Sequence, residues 1–140
     1  MGQKFSFLCA IICACIAFTA CADLPQNDNA MRVYYVEIVT NDVAQQITAL
    51  EKIHGLTFGE KDTTLGNARV AKTASGSLIG VRAPLAAHET PIVRTYFEVD
   101  DIAKAVQDAT SAGAVIAYPP TQHGDTGTCA IYILDGTQYG

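Results

Sequence analysis

The hydrophobic positions of this chain change period from strand-like to helical and back, and the whole series then repeats. Residues 33–40 are dense in β-branched and aromatic side chains, which predicts a strand. Asn41-Asp42 follows, a helix-capping signal. Val43, Ile47, Leu50 and Ile53 then recur at helical spacing, and Gly55 stops that helix. Short strand signals come at residues 56–58, 69–72 and 78–82, punctuated by Gly66 and by the Ser75-Gly76 turn. A linker with Pro84, His88 and Pro91 separates this unit from the next. Residues 93–99 read as a strand, and Asp100-Asp101 caps a helix whose apolar stripe is Ile102, Ala105, Val106 and Ala109. Gly113 ends it, and residues 115–118 and 128–134 read as strands.

This is an internal repeat, with Asp42 and Asp101 at equivalent places 59 residues apart. Each unit is a strand, a helix and then about three strands. One unit alone leaves a sheet face bare, so the two are expected to join around a shared core. The predicted class is α+β, two βαβββ modules at about 32–83 and 92–140 in one domain, 32–140.

Composition agrees with a folded domain, since 49% of the residues are apolar and 16% charged. Part of that apolar content is N-terminal. Lys4 is the only charge before Cys21, and residues 5–22 are an uncharged apolar run. A basic start, an apolar stretch and small residues before a cut predict a secretory signal peptide, residues 1–20. A Cys directly after Thr19-Ala20 resembles the lipobox of bacterial lipoproteins. The resemblance implies that Cys21 is lipidated, becomes the first mature residue and anchors an exported envelope protein. Residues 21–31 are then the lipidated Cys and a polar tether. Two alternatives stay open: an uncleaved membrane anchor, and N-myristoylation at the Met1-Gly2-Gln3-Lys4-Phe5-Ser6 pattern.

Four of the five cysteines lie in that N-terminal segment. Cys129 alone falls in the folded part, so no internal disulfide is expected there. It sits in an apolar run and reads as a small buried hydrophobe. Loss of the segment with Lys4 takes the formal net charge from −5 to −6, which argues against a nucleic-acid surface. It argues equally against electrostatic docking on anionic lipid.

Tyr35-Val36-Glu37-Ile38-Val39-Thr40-Asn41-Asp42-Val43 resembles the opening strand and helix cap of the glyoxalase, bleomycin-resistance and dioxygenase (vicinal oxygen chelate) superfamily. Thr95-Tyr96-Phe97-Glu98-Val99-Asp100-Asp101-Ile102 resembles the start of its second module, and Asp135-Gly136-Thr137-Gln138-Tyr139-Gly140 the turn into its last strand. The resemblance implies eight strands curled into an open barrel around a cavity, with the last strand truncated near Gly140. An open edge invites pairing, which makes a homodimer a candidate. In that superfamily the first and fourth strands of each module carry His, Gln or Glu ligands for a metal. The matching positions here are Tyr35, Gly80, Arg94 and Gly140. Glycine offers no side-chain donor, arginine has no lone pair to give, and tyrosine is a poor ligand near neutral pH. No metal and no cofactor are therefore expected.

Strand alternation turns Tyr35, Glu37 and Val39 to the cavity, with Arg94, Tyr96 and Glu98 from the second module and Leu78, Gly80 and Arg82 from the fourth strand. The leading expectation is metal-independent binding of a small polar or anionic organic molecule. Arg82 or Arg94 would grip a carboxylate, Tyr35 and Tyr96 would form a flat wall, and His123 would overhang the mouth. A second expectation is a lyase or isomerase with Glu37 as general base. A third is a non-catalytic envelope interaction protein. The plainer reading of Glu37 and Arg94 is an ion pair joining the modules. His54 reads as a helix C-terminal cation and His88 as solvated.

Overall fold

The computed structural model describes Met31–Gly140. The proposed signal peptide, Cys21 and nearly all of the tether lie outside the described residues. Among the described residues no helix is long and apolar enough to cross a membrane.

The elements run β1 (Arg32–Val39), α1 (Val43–His54), β2 (Lys61–Asp62), β3 (Ala68–Lys72), β4 (Leu78–Arg82), β5 (Ile92–Glu98), α2 (Ile102–Ser111), β6 (Val115–His123), β7 (Gly127–Leu134) and β8 (Thr137–Tyr139). They form one eight-stranded sheet in the order β2-β3-β4-β1-β5-β8-β7-β6. Each module lays its last strand parallel beside its first, β4 on β1 and β8 on β5. The two first strands pair antiparallel and make the seam, with Tyr35 opposite Tyr96 and Glu37 opposite Arg94.

The sheet curls into a half-barrel. Its two edges meet where His123, at the end of β6, bonds the Thr64 carbonyl just beyond β2 at 3.0 Å. Strands at opposite ends of the order can touch only if the sheet closes on itself. The cavity is the concave face.

Both helices start as the sequence predicts. The Asp42 side chain accepts from the Gln45 amide, and the Asp101 side chain from the Lys104 amide. Helix α1 buries Ile47 against Phe58, Ala71 and Val81, with Ile38, Val43, Leu50, Leu56 and Ile79 packed around them. Full burial of such a side chain contributes roughly 1.5–3 kcal/mol. Ile53, counted in the apolar stripe from its spacing, is 69% exposed and lies off that core.

Three expectations need correction. Residues 56–58 form no strand. Phe58 is anchored in the core, and the Arg69 guanidinium takes the carbonyls of Gly59 and Phe58 at 2.7 and 3.1 Å. Those acceptors are thus satisfied without a long ladder, and the strand is the short β2. The strand expected at 115–118 continues to His123, through Pro119 and Pro120. Proline is tolerated there because β6 is an edge strand whose register against β7 is irregular. The last strand is short but present, and it sits between β5 and β7. Asp135 and Gly136 both have positive φ, 48° and 80°, the two-residue hairpin geometry that returns β7 into β8.

Candidate functional site

The floor of the cavity is built across the seam. In β1 the pleat turns Tyr35 and Glu37 inward, while Ile38 packs under α1. β5 contributes Arg94 and Tyr96, β4 contributes Gly80 and Arg82, β8 contributes Gln138, and Gly140 follows directly after it. Tyr35, Glu37, Arg82, Arg94, Tyr96 and Gln138 all line a cleft of about 1340 Å³.

Glu37 is the centre. Its Oε1 accepts from Arg82 Nε at 2.6 Å. Its Oε2 accepts from Arg94 Nη1 and, at 3.2 Å, from the Tyr96 hydroxyl. All three charged residues are buried, Glu37 at 6%, Arg82 at 5% and Arg94 at 6% exposure. Arg82 also forks onto Glu89 of the inter-module linker, Nη1 to Oε2 at 2.9 Å and Nη2 to Oε1 at 2.7 Å. Arg94 gives Nε and Nη2 to the Gln138 side-chain oxygen at 3.2 and 2.6 Å. The charges therefore alternate Glu89, Arg82, Glu37, Arg94 and sum to zero. Buried charges need such pairing, because each one alone would carry a large desolvation cost.

The surroundings act on the titrating groups in a consistent way. The Arg82 fork holds the Glu89 carboxyl down at about 2. Burial, with the Glu37 charge nearby, pushes both the Tyr35 and Tyr96 phenols well above their ordinary value. They act as neutral hydroxyls. Burial and Glu37 also raise the Cys129 thiol, so it is no ready nucleophile.

The two tyrosines stand on glycines. A Cβ at Gly80 would overlap the Tyr35 ring, and one at Gly140 would overlap the Tyr96 ring. The rings lie 5.4 Å apart, tilted at 45°. The positions from which the resembling family projects metal ligands are thus filled by tyrosine rings and guanidinium groups. The residues present do not fit a metal. Two positions have no side chain and no room for one, one is a guanidinium, and burial holds Tyr35 as a neutral phenol, a weak ligand. Among the described residues no group of three or more His, Cys, Asp or Glu could hold a metal ion.

Of the residues singled out from sequence, the structure brings Tyr35, Glu37, Arg82, Arg94 and Tyr96 into one cluster. His123 lies at the edge contact with Thr64, its ring 5.9 Å from that of Tyr118. Glu98 lines the cleft at its exposed end, where it pairs loosely with Arg32 at 3.5 Å. His54 ends α1 and His88 is exposed. Gln138 and Glu89 were missed. Gln138 was within reach, because the alternation that turns Gly140 inward turns it inward too. Glu89 sits in an irregular linker, where no periodicity marks direction.

No protein-family model matches this sequence, and no curated protein matches it. Solved structures do. A hypothetical protein from Bacillus halodurans C-125 is similar with a TM-score of 0.62 at 13% identity, covering 79% of this chain and 91% of that one. Methylmalonyl-CoA epimerase from Mycobacterium tuberculosis is similar at 0.57 and 16%, covering 76% and 83%. A variant of the Streptomyces coelicolor methylmalonyl-CoA epimerase is similar at 0.53 and 15%, covering 77% and 93%. At these identities the likeness speaks for architecture and leaves chemistry to the site. With its paired βαβββ modules and curled mixed sheet, the chain has the fold of the glyoxalase-like, or vicinal oxygen chelate, superfamily.

Proposed function

We propose that this protein binds a small polar or anionic organic molecule in its half-barrel cleft without a metal, sequestering it rather than transforming it. The observation that carries the reading is the neutral network of Glu37, Arg82, Arg94 and Glu89 beneath two tyrosines packed on glycines. Glu37 acts as the anchor that holds both guanidiniums in place. Of the five N–H groups on the Arg94 guanidinium, Nε and one on Nη2 go to Gln138, and the two on Nη1 go to Glu37 and, at 3.5 Å, to the Tyr96 hydroxyl, so one on Nη2 is left to be offered to the ligand. Tyr35 and Tyr96 give a flat, partly apolar wall. The lyase or isomerase reading has less support, since both Glu37 oxygens already accept from donors and one donor would have to leave before Glu37 could take a proton.

The sequence pattern at Thr19-Ala20-Cys21 supports a lipid tether at the envelope membrane as the setting for this binding. The test is a melting-temperature screen of the purified full-length chain against small carboxylates, amides and aromatic compounds. Binding to the folded state raises the melting temperature by mass action. The reading expects at least one compound to do so in the parent and to lose most of the effect in Arg94→Lys, which keeps the charge and loses the planar fork. If no compound shifts the parent, the reading fails.

A further inference from the structure

Among the described residues, two buried side-chain polar atoms have no hydrogen-bond partner, the Tyr35 hydroxyl and His123 Nε2. Both residues line the same cleft. Tyr35 is 7% exposed, so its hydroxyl is a committed interior group. Such an atom is costly when left unpaired, which makes two of them in one cavity a feature to be explained.

The chemistry of each atom is fixed by its neighbours. A carbonyl can only accept, so the 3.0 Å contact between His123 Nδ1 and Thr64 O requires the proton on Nδ1. Nε2 of the neutral ring is then a bare acceptor. Burial keeps Tyr35 a neutral phenol, which has a proton to donate. The Thr64 turn that meets His123 lines the same cleft as Tyr35, and Asp62 holds that turn by accepting from the Thr64 amide at 2.8 Å. The charged residues of the floor are already balanced among themselves, so a charged ligand would bring a charge that nothing in the floor compensates.

We infer that the cleft selects a neutral molecule of the amide type, whose acceptor takes the Tyr35 hydroxyl proton and whose donor goes to His123 Nε2. This rests on the cleft-binding reading above and narrows it from polar or anionic to neutral donor–acceptor ligands.

Three probes of nearly equal shape separate the cases. Benzamide has an acceptor and a donor, acetophenone has an acceptor alone, and benzoate is an anion. Affinities are measured by calorimetric titration of the full-length chain and of two variants. Tyr35→Phe removes only the hydroxyl. His123→Asn keeps an N–H where Nδ1 stood and removes the Nε2 acceptor. Benzamide should bind about fivefold or more tighter than acetophenone and benzoate. Tyr35→Phe should weaken both benzamide and acetophenone, and His123→Asn should erase the preference between them. That change of preference is something a merely structural role would not produce. Equal binding of all probes in all three proteins, or benzoate binding best, overturns the inference and leaves cleft binding standing. Binding of none of them overturns both.

Discussion

Glu37 carries the largest single-residue consequence in the molecule. It is a buried carboxylate gripped by two buried guanidiniums, and breaking such a set from one side leaves charges uncompensated. Glu37→Gln should destabilise the fold by about 3–5 kcal/mol in urea unfolding. A loss below about 1 kcal/mol would mean that the network is hydrated and weak. Gly80 makes the opposite kind of statement, about space. Gly80→Ala forces its methyl into the Tyr35 ring, and overpacking of this kind costs about 1–3 kcal/mol. In a Tyr35→Ala background the same substitution should cost far less. If the cost is the same in both backgrounds, the ring is not what makes glycine necessary there.

The elements differ in how firmly they are held. Helix α1 buries Ile47 in a cluster with Phe58, Ala71 and Val81, whereas α2 has no fully buried residue. Local opening follows such packing. Amide exchange should therefore be faster through α2 than through α1, and equal rates would contradict that ordering. The inter-module linker is tied to β4 through Arg82, whose guanidinium bonds the Ala83 carbonyl at 3.1 Å and the Glu89 carboxylate. The folded-state value of Glu89, about 2, lies below its ordinary 4.5. The stability it contributes is therefore fully present above pH 4.5 and is lost as pH falls toward 2. Acid unfolding of Glu89→Gln should show less pH dependence across that window than the parent, and identical profiles would remove Glu89 as a contributor.

At the scale of the whole molecule, the repeat carried most of what was legible. Asp42 and Asp101 marked both helix starts, and alternation placed Tyr35, Glu37, Arg94, Tyr96 and Arg82 on one face, because strand pleating is a local rule. The partners that balance the charges were harder to read. Glu89 reaches Arg82 from an irregular segment, and the His123 to Thr64 contact joins opposite sheet edges, so neither follows from local period. The segment 56–58 looked strand-like because its apolar residues serve the core under α1, and burial alone does not distinguish the two. The central claim concerns the whole cavity: a charge-balanced network and two tyrosines stand at the positions where the resembling superfamily carries its metal ligands, and we propose that this cavity holds no metal. Its most direct test is calorimetric titration of the metal-stripped protein with Mn²⁺, Co²⁺, Ni²⁺ and Zn²⁺, with melting temperatures taken in metal and in chelator. The account predicts no saturable binding and no shift. Binding of one ion per chain, with a rise in melting temperature that chelator reverses, would contradict it.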